Sequence, residues 1–216
     1  VNTRIAVFAS GSGSNLQSVL DHLGALGAQA PGRVVLVISD RQQAGALGRA
    51  RDAGVAAVHL PKDAPGHELT ELLAAHRIDL IVLAGYLRLV PAAVTRAYHG
   101  RMLNVHPALL PAFGGPGMYG QHVHTAVIAA GARVSGVTVH FVDEHYDRGA
   151  IIAQVPVPVR HDDSPASLGA RVLRAEHQLY PAVVAAVCAG TVTLGPDGRA
   201  HGWADAAATA RFVLTD

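Results

Sequence analysis

The chain has 216 residues, half of them hydrophobic and only 15% charged, a balance that supports one sizeable packed core and excludes an intrinsically disordered protein. With 17 basic residues against 16 acidic ones and no basic block, a cationic face for nucleic acid is not expected. Cys188 is the only cysteine, so an intrachain disulfide is impossible, and no uncharged apolar stretch approaches a bilayer-spanning length. The first residues enter a strand-like run without a charged-then-apolar leader, and the expectation is a cytoplasmic protein with no membrane partner.

Residues 5–8 form a short, wholly apolar strand, followed by a Gly/Ser turn and a helix starting near Asn15. A second strand over 34–38 precedes a helix over 44–53, and a short third strand over 58–60 precedes a helix over 69–76. The run 80–83 has no polar face, and Pro91 opens a further helix where proline is well tolerated. Residues 102–105 give the next strand. Apolar strands separated by helices predict an α/β chain, with a mostly parallel twisted sheet covered by helices on both faces.

After Pro107 the pattern changes to a long Pro/Gly-rich loop over 107–122 and a helix over 123–130. Strands over 136–142 and 151–157 then face each other across a turn at 143–149, an antiparallel C-terminal part of the sheet. A helix rich in Ala and Val covers 167–189, and Pro196-Asp197-Gly198 predicts a hairpin in the tail 190–216. With no repeat and no linker, a single domain over 1–216 is expected.

Ser10-Gly11-Ser12-Gly13-Ser14-Asn15 stands between the first strand and the first helix, where glycines let backbone amides and the positive helix end approach an anion. It lacks the Gly-Lys-Ser/Thr of a nucleoside triphosphate loop, and Leu16 stands where the third glycine of a dinucleotide fingerprint would be. A tight turn with a helix cap explains the same residues more plainly; a monophosphate site explains them better.

Asn104-Val105-His106-Pro107 lies at the exit of a buried strand, so alternation turns Asn104 and His106 to one face and Val105 into packing. Ligands of open parallel sheets bind at the carboxyl ends of the strands. A carboxamide beside an imidazole suits a developing oxyanion, and the imidazole can also move protons. A protonated His106 calls for a carboxylate neighbour, and Asp147 in the 143–149 turn is the best placed by topology. One histidine among 13 is ordinarily a surface or satisfied core residue; the Asn partner and the strand-end position argue otherwise here. No His-Glu-x-x-His helix or cysteine cluster points to a metal, and no Gly-x-Ser-x-Gly elbow to a nucleophilic serine. Cys188 sits in an apolar helical stretch that favours an inert thiol.

These segments, together with Leu83-Ala-Gly-Tyr-Leu-Arg-Leu-Val90, Gly136-Val-Thr-Val-His-Phe-Val142, Tyr146-Asp-Arg-Gly149 and Ala175-Glu-His177, stand in an order that resembles the phosphoribosylglycinamide formyltransferases, from Arg4 to about Ala189. The resemblance implies a Rossmann-like formyltransferase fold and direct transfer of a formyl group from 10-formyltetrahydrofolate, a co-substrate, to the amine of 5-phosphoribosylglycinamide in purine biosynthesis. It implies a catalytic group of Asn104, His106 and Asp147, with Gly13, Ser14 and Asn15 at the substrate phosphate and Glu176 at its ribose hydroxyls. Leu87, Arg88, Leu89 and Val90, with Asn104, would bind the folate. The division implied is a phosphate-binding half 1–100 and a catalytic and folate-binding part 101–189, without metal, acting on small molecules as a monomer or homodimer.

The segment 61–67 is shorter than the family pattern, with Lys62 the substitute for a folate-tail arginine; Tyr119 stands where histidine is frequent, and Leu173 where a polar residue is frequent. The competing readings are a tRNA-directed formyltransferase, a formyltetrahydrofolate hydrolase, each of which would carry a further domain, and a catalytically silent nucleotide-binding module.

Overall fold

Alternation along the first strand sets the two faces of the sheet. In a computed structural model that describes residues 2–203, β1 (Thr3–Phe8) sends Ile5 and Val7 to one side and Ala6 and Phe8 to the other. On the first side lie α1 (Ser14–Leu26), through Leu16 and Val19, and α6 (Pro165–Cys188), through Leu168, Val172 and Tyr180. On the second side α3 (Gly66–Ala75) contributes Leu69 and Leu73, and α4 (Ala92–Ala97) contributes Val94. Burying both faces in this way requires strands without a polar side, as the sequence has them.

The other elements are β2 (Gly32–Ser39), α2 (Gly45–Asp52), β3 (Ala56–His59), β4 (Leu80–Leu83), β5 (Met102–His106), α5 (Gln121–Ala129), β6 (Val134–Phe141) and β7 (Ile151–Pro158). Seven strands lie in the order β3-β2-β1-β4-β5-β6-β7. Pairing is parallel from β3 to β5 and antiparallel from β5 to β7. The chain runs outward from β1 to β3, then returns to the other side of β1 at β4. This reversal opens a crevice between the loops after β1 and β4, at the carboxyl ends of the strands. The far edge is β7, whose Pro156 and Pro158 carry no N–H and blunt it against further pairing.

The expected elements are present, with shifted ends. β3 begins at Ala56 rather than 58, and α3 begins at Gly66 because Pro65 supplies its extended N-cap. Pro91 is likewise the N-cap of α4, one residue ahead of the first helical position expected for it. The loop after β5 ends at Gly120, whose backbone (φ 52, ψ −132) admits the chain into α5 two residues early. α6 starts at Pro165 behind a reciprocal Ser164–Ser167 capping box. The tail hairpin forms from β8 (Thr193–Leu194) and β9 (Ala200–His201), closed by Gly198 N–H to Gly195 O at 3.0 Å. The rest of the expected tail, 204–216, lies outside the described residues. Among the described residues no helix is long and apolar enough to cross a membrane.

One buried hydroxyl ties α6 to the strand ends that carry the site. Tyr180 Oη donates toward the carbonyls of Leu83, at 2.9 Å, and Leu103, at 3.2 Å. Tyr180→Phe removes the donor without opening a cavity and should cost about 1–2 kcal/mol of stability. Urea unfolding checks this: the midpoint falls while the slope of the transition is unchanged.

Candidate active site

Gly13 closes the loop after β1 with φ +77, and a side chain there would meet Ala46 Cα at 2.7 Å, so only glycine fits. Gly13 O accepts from Gln17 N–H at 2.9 Å, leaving the amides of the first turn of α1 facing the crevice. Arg49 Nε holds the loop from behind through Ser12 O, at 2.9 Å. Ser14 and Asn15 line the crevice. The Asn15 side chain, however, is already engaged: its Nδ2 donates to Glu176 Oε2 at 2.6 Å, and both residues are buried. The two residues expected at phosphate and ribose thus meet each other. Burial pushes the Glu176 carboxyl up to about 7, against the opposing hydrogen bond from Asn15.

Asn104 and His106 leave β5 on one face, opposite His140 and Thr138 of β6. Asp147, in the left-handed region at φ +54, turns its carboxylate back over them. His106 Nδ1 lies 3.6 Å from Asp147 Oδ2, within ion-pair distance and longer than a good hydrogen bond. Asn104 Nδ2 lies 3.5 Å from Asp147 Oδ1 and 3.1 Å from His140 Nε2. The contact expected between β5 and the 143–149 turn therefore exists.

Three further groups in this cluster were not foreseen. His140 Nδ1 donates to Phe141 O at 2.7 Å, so its Nε2 is free to accept from Asn104. His106 Nε2 donates to Phe113 O at 2.8 Å, which directs Nδ1 to Asp147. Gly115 N–H donates to Asp147 Oδ2 at 2.8 Å. Two of these partners are backbone groups of a loop, which no motif could announce. His140 was visible only as one of several scattered histidines, because its importance lies in the β5–β6 register.

The charge expected on His106 meets an opposing effect. Burial holds its pKa below the ordinary value and outweighs the neighbouring Asp147 carboxylate and the Phe113 carbonyl, both of which raise it. Burial thus works against the charge on His106 that Asp147 favours. Asp147 goes the other way in balance: burial raises its pKa, but the imidazoles of His140 and His106 and the Gly115 amide bring it below the ordinary value. Burial and the Asp147 carboxylate thus pull on His106 in opposite directions, while the two imidazoles and the Gly115 amide favour the ionised Asp147.

Both groups of residues open on one cavity of about 740 Å³, which spans from Ser14, Asn15 and Glu176 past Asn104, His106 and Asp147 to Leu87, Arg88, Leu89 and Val90. Tyr119, His124 and Leu173 also line it. A second hollow of about 970 Å³ shares Leu89, Tyr146 and Asp147 with the first. Lys62 lines neither; its carbonyl accepts from Arg88 at 2.9 Å. The Leu87 amide donates to Ser10 Oγ at 3.1 Å. Burial pushes the Cys188 thiol up to about 12, so it is no nucleophile. Among the described residues no group of three or more His, Cys, Asp or Glu side chains could hold a metal ion.

A doubly wound sheet with a small-molecule site at its switch point is the class that these features define. A family profile described as formyl transferase matches residues 3–184, and the chain belongs to that family. It is 44% identical over 201 residues to the chloroplastic phosphoribosylglycinamide formyltransferase of Vigna unguiculata, covering 90% of this chain and 64% of that protein. The chloroplastic phosphoribosylglycinamide formyltransferase of Arabidopsis thaliana is 43% identical, covering 90% and 68%. The chain thus spans about two thirds of the length of these relatives. Among solved structures, the phosphoribosylglycinamide formyltransferase of Anaplasma phagocytophilum superposes with a TM-score of 0.85 at 30% identity, covering 94% of this chain and 95% of that one. Glycinamide ribonucleotide transformylase 1 of Symbiobacterium toebii gives 0.83 at 41% identity, covering 93% of each. The fold and family expected from the ordered motifs are those found.

Glu176 supplies a pH test. Its folded pKa of about 7 lies above its ordinary 4.5, so the folded chain holds a proton that the unfolded chain releases. Stability should fall as pH rises from about 4.5 to about 7, by an amount on the order of 3 kcal/mol, and level off above. Glu176→Gln keeps an acceptor for Asn15 and removes the titration. Chemical denaturation from pH 4.5 to 8 should show this component of the slope in the wild type and its loss in the variant.

Proposed function

We propose that this chain transfers the formyl group of 10-formyltetrahydrofolate to the amine of 5-phosphoribosylglycinamide, giving formylglycinamide ribonucleotide and tetrahydrofolate in de novo purine biosynthesis. The observation that carries the reading is one cavity lined both by Ser12, Ser14 and Asn15 of the first loop and by Asn104, His106 and Asp147. The names of the plant and bacterial relatives agree with it. In this reading the phosphate of the acceptor takes the loop amides of Gly13 and Ser14 and the end of α1, and its ribose hydroxyls meet the Asn15–Glu176 pair. The folate lies along Leu87, Arg88, Leu89 and Val90. The protein acts in the cytoplasm on small molecules, as a monomer or homodimer and without metal.

The acceptor amine attacks the formyl carbon, and the carbonyl π pair moves to oxygen. Asn104 has one Nδ2 hydrogen on His140; the other makes only the long 3.5 Å contact with Asp147 and is available to the oxyanion. The amine proton passes to His106 Nδ1, where Asp147 stabilises the resulting imidazolium, and returns to the folate nitrogen as the old C–N bond breaks. His106 begins neutral in this scheme and becomes charged when the intermediate forms.

Release of folate is followed by absorbance with 10-formyltetrahydrofolate and either 5-phosphoribosylglycinamide or water as acceptor. Turnover should require the phosphorylated amine; release with water alone would make the protein a hydrolase, and no release with either would overturn the enzyme reading. His106→Ala should lower kcat by about 10²–10⁴. Asp147→Asn should move the His106 NMR titration to lower pH and reduce kcat together. A titration that does not move removes Asp147 from this role.

A further inference from the structure

Asp40 is a buried carboxylate that the transfer scheme does not use, and it accepts a hydrogen bond from a serine hydroxyl on a neighbouring loop. Ser10 Oγ donates to Asp40 Oδ1 at 2.6 Å, and the two residues are 2% and 7% exposed. With its proton committed to a carboxylate, the hydroxyl offers its lone pairs elsewhere, and Leu87 N–H donates to it at 3.1 Å. Ser10 N–H donates in turn to Gly85 O at 3.0 Å. One residue therefore joins the loops after β1, β2 and β4 on the floor of the switch-point crevice. Neither Ser10 nor Asp40 lines the cavity, whereas Gly85, Tyr86 and Leu87 do.

We propose that Ser10, held by Asp40, is a positioning residue that fixes the 85–87 segment for folate and ties it to the phosphate loop. This rests on the folate assignment above. The segment opens with Gly85 at φ +73; Tyr86 packs edge-on against Phe8 at 5.4 Å, whereas Leu89 beyond it is 47% exposed, so between the two the Leu87 backbone is held through its bond to Ser10 Oγ. Losing the Ser10 hydroxyl frees the Leu87 amide and leaves Asp40 without that donor; the acceptor site, made by Gly13, Ser14 and α1, keeps its own supports.

Steady-state kinetics with both substrates test this on the full chain. Ser10→Ala should raise KM for 10-formyltetrahydrofolate about tenfold, the worth of one good hydrogen bond, while kcat and the KM for 5-phosphoribosylglycinamide stay within about twofold. Asp40→Ala should act in the same direction, and the double variant should be no worse than Ser10→Ala, because the two act through one bond. Asp40→Asn keeps an acceptor and should restore the wild-type KM. An unchanged folate KM, equal rises for both substrates, or additive single effects would overturn the proposal. Should Ser10→Ala fail to fold, Asp40→Ala against Asp40→Asn reads the same bond. Calorimetric titration with tetrahydrofolate separates this proposal from the transfer reading. A wild type that binds tetrahydrofolate without turnover loses the transfer reading, and its Kd ratio to Ser10→Ala then decides the positioning role. A wild type that binds no folate overturns both.

Discussion

The antiparallel register of β5 against β6 is the constraint on which the site depends. Leu103 stands opposite Phe141 and Val105 opposite Val139, and these apolar pairs face into the core. The residues between them, Asn104 opposite His140 and His106 opposite Thr138, then have no choice of face. A slip of one residue would exchange the two sets, burying the carboxamide and imidazole in the apolar layer and sending Leu103 and Val105 into the crevice. The cost of that exchange is several buried hydrophobic side chains and two unsatisfied polar ones, so core packing enforces the chemistry. Thr138 adds a further lock: its hydroxyl donates to Ala108 O at 2.6 Å and accepts from Leu110 N–H at 3.0 Å, anchoring the start of the loop that covers the site.

That loop then determines the protonation of what it covers. Its Phe113 carbonyl can only accept, which places the neutral imidazole's proton on Nε2 and leaves Nδ1 toward Asp147. Phe113 itself is at φ +55, and Gly114 packs closely, since a Cβ there would meet the end of the Leu110 side chain at 2.5 Å and Asp147 Cβ at 3.2 Å. The tight approach desolvates His106 and so disfavours its charged form. The same approach delivers the Gly115 amide to Asp147, which favours the carboxylate. One piece of backbone thereby touches both groups: its Phe113 carbonyl favours a proton on His106, against the effect of burial, and its Gly115 amide favours the ionised Asp147.

Much of this was legible from the sequence, because some signals are local. Apolar strands such as 80–83 announced a sheet buried on both faces, Gly13 announced a tight turn into the first helix, and the 104–107 stretch announced a strand end with two convergent side chains. The helix boundaries moved where caps decided them, as at Pro65 and Ser164. What could not be read depends on pairing between distant segments. The Asn15–Glu176 contact joins residues 161 positions apart; the Asn104–His140 contact requires the register; and the Phe113 and Gly115 contacts use main-chain atoms that every residue possesses. The balance on His106 was hidden for the same reason: a carboxylate neighbour could be inferred from topology, but the depth of burial opposing it could not.

The switch point also explains why the parts of the site come from both halves of the chain. The loops after β1 and β4 diverge to opposite sides of the sheet, and each continues into a helix on a different face. Either loop alone would be a surface turn with its own freedom. Transfer between two bound molecules requires them to be held within a near-attack distance, and misplacement of about 1 Å is worth about a hundredfold in rate. Hydrogen bonds across the crevice meet that requirement at small cost, because they join strand ends that the parallel β1–β4 ladder already aligns: Ala84 N–H to Phe8 O at 2.8 Å is followed directly by Ser10 N–H to Gly85 O at 3.0 Å. The ladder thus continues two residues past the sheet and ends in the Ser10 hydroxyl, so the rigidity of the core extends into the loops. Precision at the reacting atoms is in this sense a property of the sheet, carried outward by main-chain bonds.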